Sequence, residues 1–96
     1  MQQKILIIED EKEYTGLLKT SLEKGTYKIT SAGSAEDGLK KIKELKSDLI
    51  ILDWKLPGWD GIELCRFIRG KEEIRDIPIL MLTAFLPIDF FKAHLI

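Results

Sequence analysis

Four side chains that follow directly on apolar runs are of the types that handle phosphate and hard cations. Glu9 and Asp10 come after KILII at 4–8, Asp53 after LIIL at 49–52, and Thr83 after ILML at 79–82. If the three runs lie parallel and side by side, their ends meet at one edge of a sheet. Three carboxylates and a hydroxyl then converge from positions more than 70 residues apart. Like charges held that close repel, so one carboxylate takes up a proton or a cation intervenes. A hard divalent ion with oxygen ligands suits such a site. Magnesium fits best, because it needs few protein carboxylates and keeps waters that exchange with phosphate oxygens. A carboxylate beside such an ion can also attack phosphorus and become an aspartyl phosphate. Asp53 is the better nucleophile candidate, since it stands alone at the end of a central strand, and Thr83 can donate a hydrogen bond to a phosphoryl oxygen. Each acid taken singly also has an ordinary reading as a helix cap or loop residue; the joint placement after three apolar runs is what points to a site.

The elements that would position these residues alternate along the chain. The three apolar runs read as strands buried on both faces. Tyr27–Ala32 (YKITSA) is a more polar strand suited to a sheet edge. Between the strands, Tyr14, Leu17, Leu18 and Leu22 recur at helical spacing, with Gly25 as a stop. Ser34 opens a helix with Leu39, Ile42 and Leu45 on one face, and Asp60 can cap another bearing Ile62, Leu64, Cys65, Phe67 and Ile68. Pro57-Gly58 marks a loop. The order βαβαβαβ implies an α/β fold, a doubly wound, mainly parallel sheet with helices on both faces. Sites in such sheets lie beyond the carboxyl ends of the strands, where the strand order reverses.

Composition narrows the function classes. Ninety-six residues make one domain, and 15 basic against 16 acidic residues leave a net charge of −1, which favours neither nucleic acid nor an anionic membrane. The single cysteine, Cys65, excludes an intramolecular disulfide and reads as a buried thiol. The N-terminal apolar run is too short for a secretory signal and the C-terminal stretch too interrupted for a membrane span. These features point to a reducing, cytoplasmic setting. Beyond residue 77 the only acidic or basic residues are Asp89 and Lys92, in a segment holding three of the four phenylalanines.

KILIIEDE, LIILDWKLPGWDG and RDIPILMLTA, in this order and spacing, resemble the receiver domain of two-component response regulators, most of all its transcription-factor branch. The resemblance covers Lys4 to about Ala84 and implies a flavodoxin-like fold. It makes Asp53 the residue phosphorylated by a sensor histidine kinase. Asp10 would ligate Mg2+ directly, Glu9 through water, and Lys55 through its backbone carbonyl. Thr83 would be the switch hydroxyl, with the Ala84 amide beside it. Such a module is at most an enzyme toward itself, assisting its own phosphorylation and hydrolysis.

The pattern departs from the family after Ala84. A receiver continues through a fourth helix, a fifth strand ending in Lys-Pro and a fifth helix, whereas FLPIDFFKAHLI stands here. This predicts a receiver region at 1–84, an atypical apolar tail at 85–96, and loss of the usual fifth strand and helix. It also predicts phosphorylation impaired by the missing lysine, and a homo-oligomer formed through an exposed fourth-strand edge and the tail. The competing function is a non-signalling dimeric module with a vestigial acidic pocket. A phosphatase or nucleotide binder is disfavoured, because no Gly-rich loop follows the first strand. Trp54 and Trp59 read as packing around the acceptor loop, His94 as packing or solvent contact, and the lysines at 40, 41, 43 and 46 as a solvated helix face.

Overall fold

A computed structural model describes residues 2–23, 25–82 and 93–95, with the backbone alone for Lys55 and for 93–95. The elements run β1 (Gln3–Ile8), α1 (Lys12–Leu22), β2 (Tyr27–Ala32), α2 (Ala35–Leu45), β3 (Leu49–Asp53), β4 (Lys55–Leu56), β5 (Trp59–Asp60), α3 (Gly61–Arg69), β6 (Ile79–Leu82) and β7 (Ala93–Leu95).

The three apolar runs become the centre of the sheet because both of their faces are covered. Leu6, Ile8, Ile50, Leu52, Ile79 and Met81 point to one side and pack with Ala35 and Ile42 of α2 and Leu64, Cys65 and Ile68 of α3. The alternate residues Ile5, Ile7, Ile51 and Leu82 form a second cluster with Tyr14, Leu18 and Leu22 of α1. Strands with water on neither face need no polar alternation. The cysteine is buried, as its place on the apolar side of α3 implies.

Strand order is β2-β1-β3-β6-β7, with β1, β2, β3 and β6 parallel. The chain leaves β1 toward β2 on one side and returns to β3 on the other, so the order reverses between β1 and β3. This is the flavodoxin-like doubly wound sheet. The edge beyond β6 differs from the expectation of an exposed strand there. β7 pairs with β6 in antiparallel register, Leu80 opposite Leu95 and Leu82 opposite Ala93. Backbone groups on that side of an apolar strand are costly to leave without partners, and a three-residue segment that returns to the edge supplies them.

Two caps follow the sequence pattern. Ser34 Oγ accepts from the Asp37 N–H at 3.1 Å, and Asp60 Oδ1 accepts from the Glu63 N–H at 2.8 Å. Pro57-Gly58 is more than a loop. It turns a hairpin in which Lys55 faces Asp60 and Leu56 faces Trp59, with Gly58 at φ +78°, a conformation that favours glycine.

Gly61 joins this hairpin to α3. Its N–H donates to the Trp54 carbonyl. A Cβ there would stand 2.8 Å from the Asp53 carbonyl oxygen and 2.9 Å from both Trp54 Cα and the Trp54 carbonyl oxygen. These are backbone atoms and cannot rotate away. Gly61→Ala is expected to cost about 1–3 kcal/mol of stability through forced backbone shifts, read as a lower denaturant midpoint at unchanged slope.

Candidate acidic site

β1 and β3 run in register, Ile8 beside Leu52, so their carboxyl ends are level. Glu9 therefore leaves β1 next to Asp53, the last residue of β3, and Asp10 follows one residue on. One carboxylate oxygen from each of Glu9, Asp10 and Asp53 lies within 4.8 Å of the other two. Glu9 and Asp53 are buried, 5% and 3% exposed, whereas Asp10 reaches solvent. The three acids that the sequence singles out are thus brought together at the point where the strand order reverses.

Glu9 Oε1 accepts from the Glu11 N–H at 3.1 Å. Its other oxygen, Oε2, is buried without a hydrogen-bond partner among the described residues. Burial pushes the Glu9 carboxyl up to about 8, against the opposing pull of the Glu11 N–H, and the neighbouring Asp53 and Asp10 push it the same way. Tyr14 is a further member of the pocket that its sequence context, an apolar helix stripe, does not reveal. Burial pushes the ionisation of its hydroxyl to higher pH, and the charges of Glu9 and Asp53 add to this.

An all-oxygen set with one buried carboxylate oxygen awaiting a partner fits a hard divalent cation. Glu9, Asp10 and Asp53 are the side chains that could hold it. The Lys55 backbone lies two residues beyond Asp53, at the start of the β4–β5 hairpin. Asp53 is paired in register with Leu82, and the Trp54 N–H donates to the Leu82 carbonyl at 3.0 Å. β6 thus ends beside the buried aspartate. Thr83 and Ala84, the next residues, lie outside the described residues.

A doubly wound sheet with a buried aspartate and an acidic pair at its reversal point defines an α/β domain built to gather ligands at its strand ends. The description "response regulator receiver domain" matches residues 5–95, a range that includes the segment without Lys-Pro. Over 84 residues the chain is 44% identical to the alkaline phosphatase synthesis transcriptional regulatory protein PhoP of Bacillus subtilis (strain 168), covering 88% of this chain and 34% of that protein. It is 40% identical over 84 residues to the phosphate regulon transcriptional regulatory protein PhoB of Rhizobium meliloti (strain 1021), covering 88% of this chain and 37% of that one. The crystal structure of the N-terminal domain of a response regulator receiver protein from Methanoculleus marisnigri JR1 superposes with a TM-score of 0.81 at 36% identity, over 84% of this chain and 66% of that one. The chain belongs to the response regulator receiver domain family, and it spans about a third of the length of the curated relatives it matches.

The displaced ionisation of Glu9 sets a pH dependence. Between its ordinary value of 4.5 and about 8, folded Glu9 keeps a proton that the unfolded chain has released. Its contribution to stability is therefore complete below pH 4.5 and is lost as pH rises to about 8. In chelator-containing buffer the melting temperature is expected to fall across this window, and Glu9→Gln, which stays neutral, is expected to flatten the decline.

Proposed function

We propose that this receiver domain accepts a phosphoryl group on Asp53 from the phosphohistidine of a sensor kinase, with Mg2+ in the acidic pocket. The observation that carries the reading is the buried Asp53 carboxylate at the end of a central strand, grouped with Glu9 and Asp10. In this reading Asp10 and Asp53 would hold the cation directly, Glu9 through water, and Lys55 through its backbone carbonyl. When bound, the cation would supply charge neutralisation among the carboxylates and on the phosphoryl oxygens. A carboxylate oxygen of Asp53 attacks phosphorus in line while the phosphorus–nitrogen bond to the donor imidazole breaks, and the imidazole, already protonated on its other ring nitrogen, leaves as the neutral base. The chain then carries an acyl phosphate, which water hydrolyses to restore Asp53. In this reading Thr83 would supply the switch hydroxyl and Ala84 its backbone amide to the phosphoryl group. This is positioning and charge stabilisation more than covalent participation by many groups.

The setting we assign is cytoplasmic. Among the described residues no helix is long and apolar enough to cross a membrane. The matched relatives are named transcriptional regulators, of which this chain spans about a third. With a net charge of −1, the 96 residues offer no general attraction for nucleic acid, so direct DNA binding is no part of this reading.

The test is labelling by a small acyl phosphate. Mg2+-dependent incorporation of one phosphoryl group, abolished by Asp53→Asn and by chelator, is the expected outcome; incorporation that survives Asp53→Asn overturns the assignment. The 96-residue chain holds no Lys-Pro pair, so we expect labelling slower than that of a receiver with one. Residues 85–96 contain Phe85, Leu86, Ile88, Phe90, Phe91, Leu95 and Ile96, and we assign self-association to this apolar segment. A light-scattering mass of two chains at micromolar concentration is expected, and a single-chain mass refutes that assignment.

A further inference from the structure

Lys55 stands on a hairpin of only two rungs, Lys55 opposite Asp60 and Leu56 opposite Trp59. So short a ladder does not hold its own shape in water, and its position depends on anchors. Leu56 is one, sunk in the core at 4% exposure, and the Gly61 N–H on the Trp54 carbonyl is another. Folding alone accounts for both. The third anchor is polar. Trp59 Nε1–H donates to Glu36 Oε1, in the first turn of α2, at 3.1 Å. The Trp59 ring also meets Phe67 of α3 edge-on, with centroids 5.7 Å apart at 87°. Packing would be served by any large apolar side chain at position 59. The indole donor and its carboxylate acceptor add direction, tying Trp59 to a residue 23 positions earlier, in the first turn of α2.

We propose that the Trp59–Glu36 hydrogen bond positions the β4–β5 hairpin so that the Lys55 carbonyl is held ready for the divalent cation. This rests on reading the acidic pocket as a Mg2+ site. Trp59 and Glu36 touch neither the cation nor the phosphoryl group; they are positioning residues. They act on a ligand that comes from backbone, which no substitution of Lys55 itself can remove.

The experiment is calorimetric titration of Mg2+ into the full chain. The proteins compared are wild type, Trp59→Phe, Glu36→Ala, Glu36→Gln, the Trp59→Phe/Glu36→Ala double variant and Asp10→Asn, each held below its own melting temperature. Loss of a supporting partner typically weakens metal binding by about ten- to a hundredfold. For an exposed bond two steps from the ligand, about three- to tenfold is expected in Trp59→Phe and in Glu36→Ala, with the double variant no weaker than either. Glu36→Gln loses the same charge as Glu36→Ala but keeps an acceptor oxygen, and it is expected to recover most of the lost affinity. Equal weakening by Gln and Ala would show that charge alone acts and would overturn the proposal, as would unchanged binding in Trp59→Phe. Glu36 is exposed, so its two variants carry the test whatever the folding cost at Trp59. Asp10→Asn separates the two possible failures. If wild type binds Mg2+ and Asp10→Asn does not, the pocket reading stands even where the positioning role falls; if wild type binds none, both fall.

Discussion

Keeping Glu9 and Asp53 out of water, with one oxygen of each and one of Asp10 inside a 4.8 Å group, costs free energy in electrostatic repulsion and lost hydration. Nothing in the isolated sequence segments would hold carboxylates in that arrangement. The sheet does so because its central strands are apolar on both faces and cannot shift register without mismatching two packed layers and drawing the terminal acids into the apolar interior. The level ends of β1 and β3 follow from that burial, and the acids are carried to the pocket by it. The surplus of negative charge is then met by a proton, which burial favours on Glu9, or by a cation.

The same constraint explains which side of the molecule is tightly built. α3 begins at Gly61 against the backbone of Asp53 and Trp54, with no room for a side chain between them. Asp60 caps that helix while its neighbour Trp59 reaches toward α2. The loop after the acidic residue is therefore fixed from three directions: the core through Leu56, α3 through Gly61 and α2 through Glu36. A backbone carbonyl can serve as a ligand only if its chain is held in this way, since it has no rotamers of its own with which to adjust.

Much of this was legible in the sequence because it depends on short-range patterns. Continuous apolar runs signal strands with two covered faces, and the acids that end them signal the pocket; Ser34 and Asp60 signal helix starts. What escaped the sequence depends on contacts between distant residues or on elements too short to show a period. β4 and β5 have two residues each, and β7 has three, below any alternation that could be read. An AHL segment after a phenylalanine-rich stretch says nothing of its antiparallel return to β6. The hydroxyl of Tyr14 is hidden in an apolar stripe, and the partnership of Trp59 with Glu36 joins residues that no local rule connects.

The antiparallel β7 also separates two properties that the family pattern binds together. Completing the sheet edge requires only backbone partners for β6, and three residues of almost any type can supply them. In the family pattern, the cationic side chain beside the acidic pocket comes from the carboxyl end of a parallel strand. An antiparallel strand presents its amino end there instead: Ala93 lies opposite Leu82, the register partner of Asp53, while Leu95 lies toward the other end of β6. The described edge thus satisfies the first requirement without serving the second. Among the described residues, sheet completion and charge balance at the pocket are therefore distinct problems, and the second falls on a proton or cation held by the three carboxylates.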